Sequence, residues 1–111
     1  MHTVTKMPGT NGAGSKITVT STATSLESLI RTASGDPTFK VAHQNALDIR
    51  VESEAIRWYD DGNIPTATLG NLLEANDREQ LNGLKLHAMQ LISSTGNDAT
   101  VTIRMGYNTF N

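Results

Sequence analysis

Cysteine is absent, so the chain has no disulfide framework, no thiolate metal ligand and no cysteine nucleophile. Aromatic residues are scarce at 5%, and the 37% apolar fraction lies below the usual globular share, so the core is expected to be thin and built from Ile, Leu, Val and Met. A core of that kind gains from burial against neighbouring subunits. No basic excess is present either. With a formal net charge of −2 the chain lacks what is needed to neutralise a phosphate backbone, and no nucleic-acid partner is expected. Residues 1–16 are rich in Thr, Gly, Ser and Asn and hold no continuous apolar stretch, so neither a signal peptide nor a membrane span is expected. At 111 residues the chain has the length of one folding unit.

What is there is mostly strand and turn chemistry. Residues 1–15, with Pro8, Gly9, Asn11, Gly12 and Gly14, bury too little to offset the entropy of ordering them, and are read as an N-terminal arm preceding a domain over 16–111. The arm is either a disordered tail or an extended segment ordered across a neighbouring subunit. Ile17 and Val19 alternate with Thr18 and Thr20, which predicts a first strand from Lys16. Leu26, Leu29 and Ile30 after a capping Ser25 predict one helical turn and no more. Gly35-Asp36-Pro37 marks a turn, and Ala46 to Glu52 is a strand. Ile56 and Trp58 point inward with Arg57 and Tyr59 opposite, ahead of a tight turn at Asp60-Asp61-Gly62-Asn63. Pro65 makes Asn63 to Thr68 loop or sheet edge, and Gly70-Asn71 turns into Leu72-Leu73. Arg78 to Leu81 reads as a short strand joined through an Asn82-Gly83 hairpin turn to a longer one over Leu84 to Ile92. The apolar phase of that second segment changes midway, so it needs a bulge or burial of both faces, or is a helix instead. Val101, Ile103, Met105 and Tyr107 close the chain on an alternating strand. Short strands divided by Gly, Asn and Asp turns predict an all-β fold, a single β-sandwich or barrel with an extended N-terminal arm.

The residues that carry chemistry elsewhere do not assemble into a motif here. In Asp60-Asp61-Gly62-Asn63 the glycine comes too early for a helix-loop-helix calcium site and no bidentate glutamate follows at the required distance. Glu52 and Glu54 share one face of an extended strand, where a solvated face is the simpler reading than acid–base catalysis. His2, His43 and His87 lack zinc-site spacing, and Ser25, Ser28 and Ser34 lack a nucleophile elbow. The Gly9 to Gly14 run precedes a strand, whereas a phosphate loop follows one and opens a helix. No catalytic residue, cofactor or metal is therefore expected. Trp58 is read as a core anchor, with sugar stacking or an interface role as the minor alternative.

The stretch Ala46 to Tyr59, then Asp60-Asp61-Gly62, Pro65-Thr66-Ala67-Thr68, Gly70, Leu72-Leu73, Leu81 and Gly83, resembles a family of short proteins encoded among the head genes of tailed bacteriophages. In that family an Ile-Arg-Trp strand leads into an Asp-Asp-Gly turn and a Pro-Thr loop, and the final Ala99 to Ile103 strand is similar too. The resemblance implies a jelly-roll-like sandwich, made in the host cytoplasm, that sits on the outer surface of the assembled capsid and stabilises it as a decoration or cement protein, without catalysis. The implied partner is the major capsid protein, and a homotrimer on a three-fold axis would engage three capsid subunits at once. Candidate contacts are Lys6, Pro8 and Asn11 in the arm, an unpaired sheet edge, and Asn63, Ile64, Pro65, Thr66 and Leu69 in the loop. The competing expectation is a tail, fibre or vertex module that recognises host carbohydrate through an exposed Trp58 and Tyr59.

Overall fold

The computed structural model describes residues 2–4, 15–41, 45–106 and 108–110, and of residues 2–4, 106 and 108–110 the backbone alone. Period-2 alternation produces the first sheet. In β2 (Ser15–Val19) Ile17 and Val19 are buried while Lys16 and Thr18 face solvent. In β9 (Ala99–Gly106) the buried set is Ala99, Val101, Ile103 and Met105. With β4 (Ala46–Val51) and β7 (Arg78–Leu81) they form an antiparallel sheet in the order β2-β9-β4-β7. Ile17 lies opposite Val101, and Ile49 opposite Ile103, so β-branched side chains pack in rows across the inner face.

The second sheet, β3-β8-β5-β6, is built from β3 (Thr24–Ser25), β8 (Gln90–Ser93), β5 (Ile56–Tyr59) and β6 (Asn71–Leu73). Trp58 pairs with Leu91, and Ile56 pairs with both Ser93 and Leu73. Inward residues of both sheets, among them Ile17, Ile49, Val101, Ile56, Trp58 and Leu91, belong to one core cluster. β1 (His2–Val4) pairs with β10 (Asn108–Phe110). The ladders nest: β5 with β6, β4 with β7, β3 with β8, β2 with β9, and β1 with β10 outermost. Of the links between β2 and β9 only the one from β5 to β6 stays within a sheet. The fold is all-β with one short helix, as the sequence predicts.

Several local expectations are corrected. The helix is not one turn: α1 runs Leu26–Ser34. Ser25 caps it by accepting the Ser28 N–H at 3.1 Å, and Leu26, Leu29 and Ile30 are buried. Tertiary contacts extend it, since short helices gain most of their stability from packing. Glu27 and Arg31 pair at 2.8 Å, Arg31 Nε donates to the Phe39 carbonyl at 2.7 Å, and Glu27 accepts the Val41 N–H at 3.0 Å. The Leu84 to Ile92 segment is neither one strand nor an α-helix. A 3-10 turn at Leu86–Ala88 absorbs the phase change, putting Leu86 and Met89 inside before β8 begins. Asn82-Gly83 does not close a hairpin, because β7 pairs with β4 and β8 lies in the other sheet. Local turn chemistry there loses to pairing with strands distant in the chain. The expected arm falls mostly on residues outside the described set; of it, residues 2–4 pair with 108–110 and Ser15 opens β2.

The edge strand β7 is guarded by charge. Glu79 stands opposite the buried Ile49, and Arg78 reaches Asp48 at 3.1 Å, offsetting the like charge of Arg50 directly across from it.

Candidate interface loop

Between β5 and β6 the chain makes a loop over residues 60–70 that its own side chains hold down. Asp61 Oδ1 accepts the Asn63 N–H at 3.0 Å, and Asp61 Oδ2 accepts from Asn63 Nδ2 at 3.0 Å. These bonds, the backbone one foremost, lower the Asp61 pKa below the ordinary aspartate value. The Thr66 N–H donates to the Leu69 carbonyl at 2.9 Å, and Thr66 Oγ1 accepts the Leu69 N–H at 3.0 Å. From the outer face of β5, Arg57 Nε donates to the Ala67 carbonyl at 3.1 Å and Nη1 to the Gly70 carbonyl at 3.0 Å. Asp60 fixes the loop's other end by accepting the Lys85 N–H at 3.2 Å.

On this frame Ile64 is 64% exposed and Leu69 60%, while Leu72 on β6 is 44% exposed. Leu72 opposes Arg57 and faces out because its neighbour Leu73 faces in. No charged residue occurs from Asn63 to Leu73. Large apolar side chains on a loop tied by this many bonds lose little further entropy on binding. Covering each contributes on the order of 1–2 kcal/mol.

The sequence-derived contacts divide accordingly. Ile64 and Leu69 are brought to one exposed loop, and Asn63 and Thr66 are exposed with them but spend their polar groups on bonds inside it. Pro65 is corrected: it is buried, because the loop's underside packs its ring beside Gly70. Lys6, Pro8 and Asn11 lie outside the described residues. Trp58 is 9% exposed and part of the core. Sequence reasoning missed Leu72 as a surface group, although the alternation with Leu73 carries the signal. It also missed Arg57 as the loop's anchor, a contact spanning ten to thirteen residues that no local pattern encodes.

The remaining candidates for chemistry are dispersed. Glu52 and Glu54 do not share a strand face: β4 ends at Val51 and Glu54 sits in a turn with φ +59°. Glu52 accepts from Thr102 Oγ1 at 2.8 Å and lies 3.7 Å from Lys16 Nζ; the hydrogen bond first, then the cation, lower its pKa. Glu54 instead accepts from Thr95 Oγ1 at 3.1 Å and Asn97 Nδ2 at 2.8 Å, tying the β4–β5 turn to the β8–β9 turn. His87 is exposed, and His43 lies outside the described residues. Among the described residues no group of three or more His, Cys, Asp or Glu is placed to hold a metal, and no helix is long and apolar enough to cross a membrane. A groove of about 510 Å³ runs between α1 and β2, with Lys16, Thr18, Thr20, Thr24 and Thr32 around Leu29. Compared with protein-family models, with curated proteins and with solved structures, the chain matches none.

Proposed function

We propose that this is a non-enzymatic structural protein of a tailed-phage virion, a jelly-roll sandwich that binds the outer surface of the assembled capsid and stabilises it. The observation that carries the reading is the anchored loop, uncharged from Asn63 onward, exposing Ile64 and Leu69 beside Leu72. It lies within the segment that resembles phage head proteins. The jelly-roll description is supported by two four-stranded sheets whose pairings nest from β5–β6 outward.

The partner is the major capsid protein. A protein that binds the assembled shell and not its free subunits shifts the assembly equilibrium toward the shell. Repetition over the lattice multiplies modest contacts, and a trimer adds to that avidity. Burial of Trp58 favours this reading over a carbohydrate-binding tail, fibre or vertex module, because it removes the obvious stacking platform. The test is the copy number in purified particles, by quantitative mass spectrometry against the major capsid protein. A fixed stoichiometry to the capsid lattice is the expected result. A few copies per particle would move the protein to a tail or vertex, and none would end the virion reading.

A further inference from the structure

We propose that Asn82 is a site of spontaneous covalent modification, its side-chain amide converting to aspartate and isoaspartate through a succinimide closed by the Gly83 nitrogen. Asn82 and Gly83 are both exposed and lie outside helix and strand, in the link between β7 and the 3-10 turn. Apart from its chain neighbours, no heavy atom stands within 4 Å of the place a Gly83 Cβ would occupy, so that side of the glycine is open. Of the asparagines in the described residues, this is the one that precedes glycine. Asn45, Asn63, Asn71, Asn76, Asn97 and Asn108 are each followed by a residue with a Cβ.

The chemistry needs only water and base. The Gly83 nitrogen gives up its proton and attacks Asn82 Cγ; the new N–C bond forms, the Cγ–Nδ2 bond breaks, and the amide nitrogen leaves as ammonia carrying the displaced proton. Water then opens the ring. Attack at Cγ restores the ordinary peptide with an aspartate side chain, whereas attack at the main-chain carbonyl leaves isoaspartate, with the backbone rerouted through Cγ.

Both products add a negative charge, and the second lengthens the main chain where it crosses between sheets. That link is tied at its far end, where the Leu84 N–H donates to the Asn45 carbonyl at 2.9 Å and the Lys85 N–H to Asp60 at 3.2 Å. Modification therefore loads the connection that also anchors the 60–70 loop.

The experiment holds the folded full-length protein in warm, mildly alkaline buffer and maps tryptic peptides by mass and by isoaspartyl methyltransferase labelling. Cleavage after Arg78 and Lys85 isolates residues 79–85, while Asn11-Gly12 falls in the separate peptide 7–16. The expected result is amide-to-acid conversion in 79–85 as two isomers, faster at higher pH. It is slowed many-fold by Gly83→Ala and lost over the same period in Asn82→Gln. Peptide 79–85 staying intact in the folded protein, while the free synthetic peptide converts under the same conditions, overturns the proposal. So does a Gly83→Ala rate equal to wild type.

Discussion

Gly70→Ala should be among the most damaging single-methyl changes outside the core. Gly70 has φ +133°, and an added Cβ would stand 3.1 Å from Arg57 Cβ, 3.3 Å from Pro65 Cβ and 3.3 Å from the Trp58 backbone nitrogen. Positive φ costs an L-residue roughly 1–2 kcal/mol. Crowding against backbone and two Cβ atoms, none of which can swing away, adds about 1–3 kcal/mol. The sum is about 2–5 kcal/mol. For 111 residues, at about 2.1 cal/mol/K of unfolding entropy per residue, each kcal/mol moves Tm by about 4 °C. The expected loss is therefore roughly 8–20 °C. Gly62→Ala supplies the control, since Gly62 has φ +90° but nothing within 4 Å of an added Cβ. It should show only the backbone cost, about 1–2 kcal/mol or roughly 4–8 °C. Thermal unfolding followed by Trp58 fluorescence and far-UV circular dichroism reads both variants. A Gly70→Ala loss no greater than that of Gly62→Ala would refute the close approach of the loop to β5.

Further outcomes follow from individual contacts. Ser25→Ala removes the cap of α1 and should cost about 1 kcal/mol in urea or thermal unfolding, with fold and far-UV spectrum retained. Trp58, buried and unique, should emit at short wavelength and resist acrylamide quenching; quenching as efficient as that of free indole would return it to the surface. The pKa values of Asp36, Glu52 and Asp61 are lowered, principally by hydrogen bonds from Thr38, Thr102 and Asn63. A carboxyl whose pKa is lower folded than unfolded contributes fully above its unfolded value and loses that contribution as pH falls through the folded one. Stability should thus drop on acidification below the ordinary carboxylate range, and Thr102→Val should flatten that limb, as urea unfolding across pH will show. Ile64→Asp and Leu69→Asp should leave unfolding within about 0.5 kcal/mol of wild type, since both side chains are exposed, yet abolish co-sedimentation with capsids stripped of this protein. Undiminished binding by both variants, with wild type bound, would remove the loop from the interface.

What the sequence determined by itself was the local periodicity. Alternation at Ile17 and Val19, at Ile56 and Trp58, and at Val101 and Ile103 required half-buried strands, because a two-residue repeat has one way to hide its apolar side. Gly, Asn and Asp placed the breaks between them, and Ser25 marked a helix start. The pairing of strands was settled only in three dimensions. Asn82-Gly83 has hairpin chemistry, yet β7 joins β4 at a sheet edge and β8 joins β3 and β5, where Leu91 and Ile92 are buried among partners far away in the chain. α1 outgrew its local propensity for the same reason, through Arg31 reaching Phe39 and Glu27 reaching Val41. The candidate site was half legible. Composition marks residues 63–73 as an uncharged stretch, but which loop members turn inward depends on Arg57 drawing down the Ala67 and Gly70 carbonyls, so that Pro65 is covered while Ile64 and Leu69 stay exposed. Periodicity is written residue by residue along the chain; burial at a loop is decided by whatever distant group comes to rest beneath it.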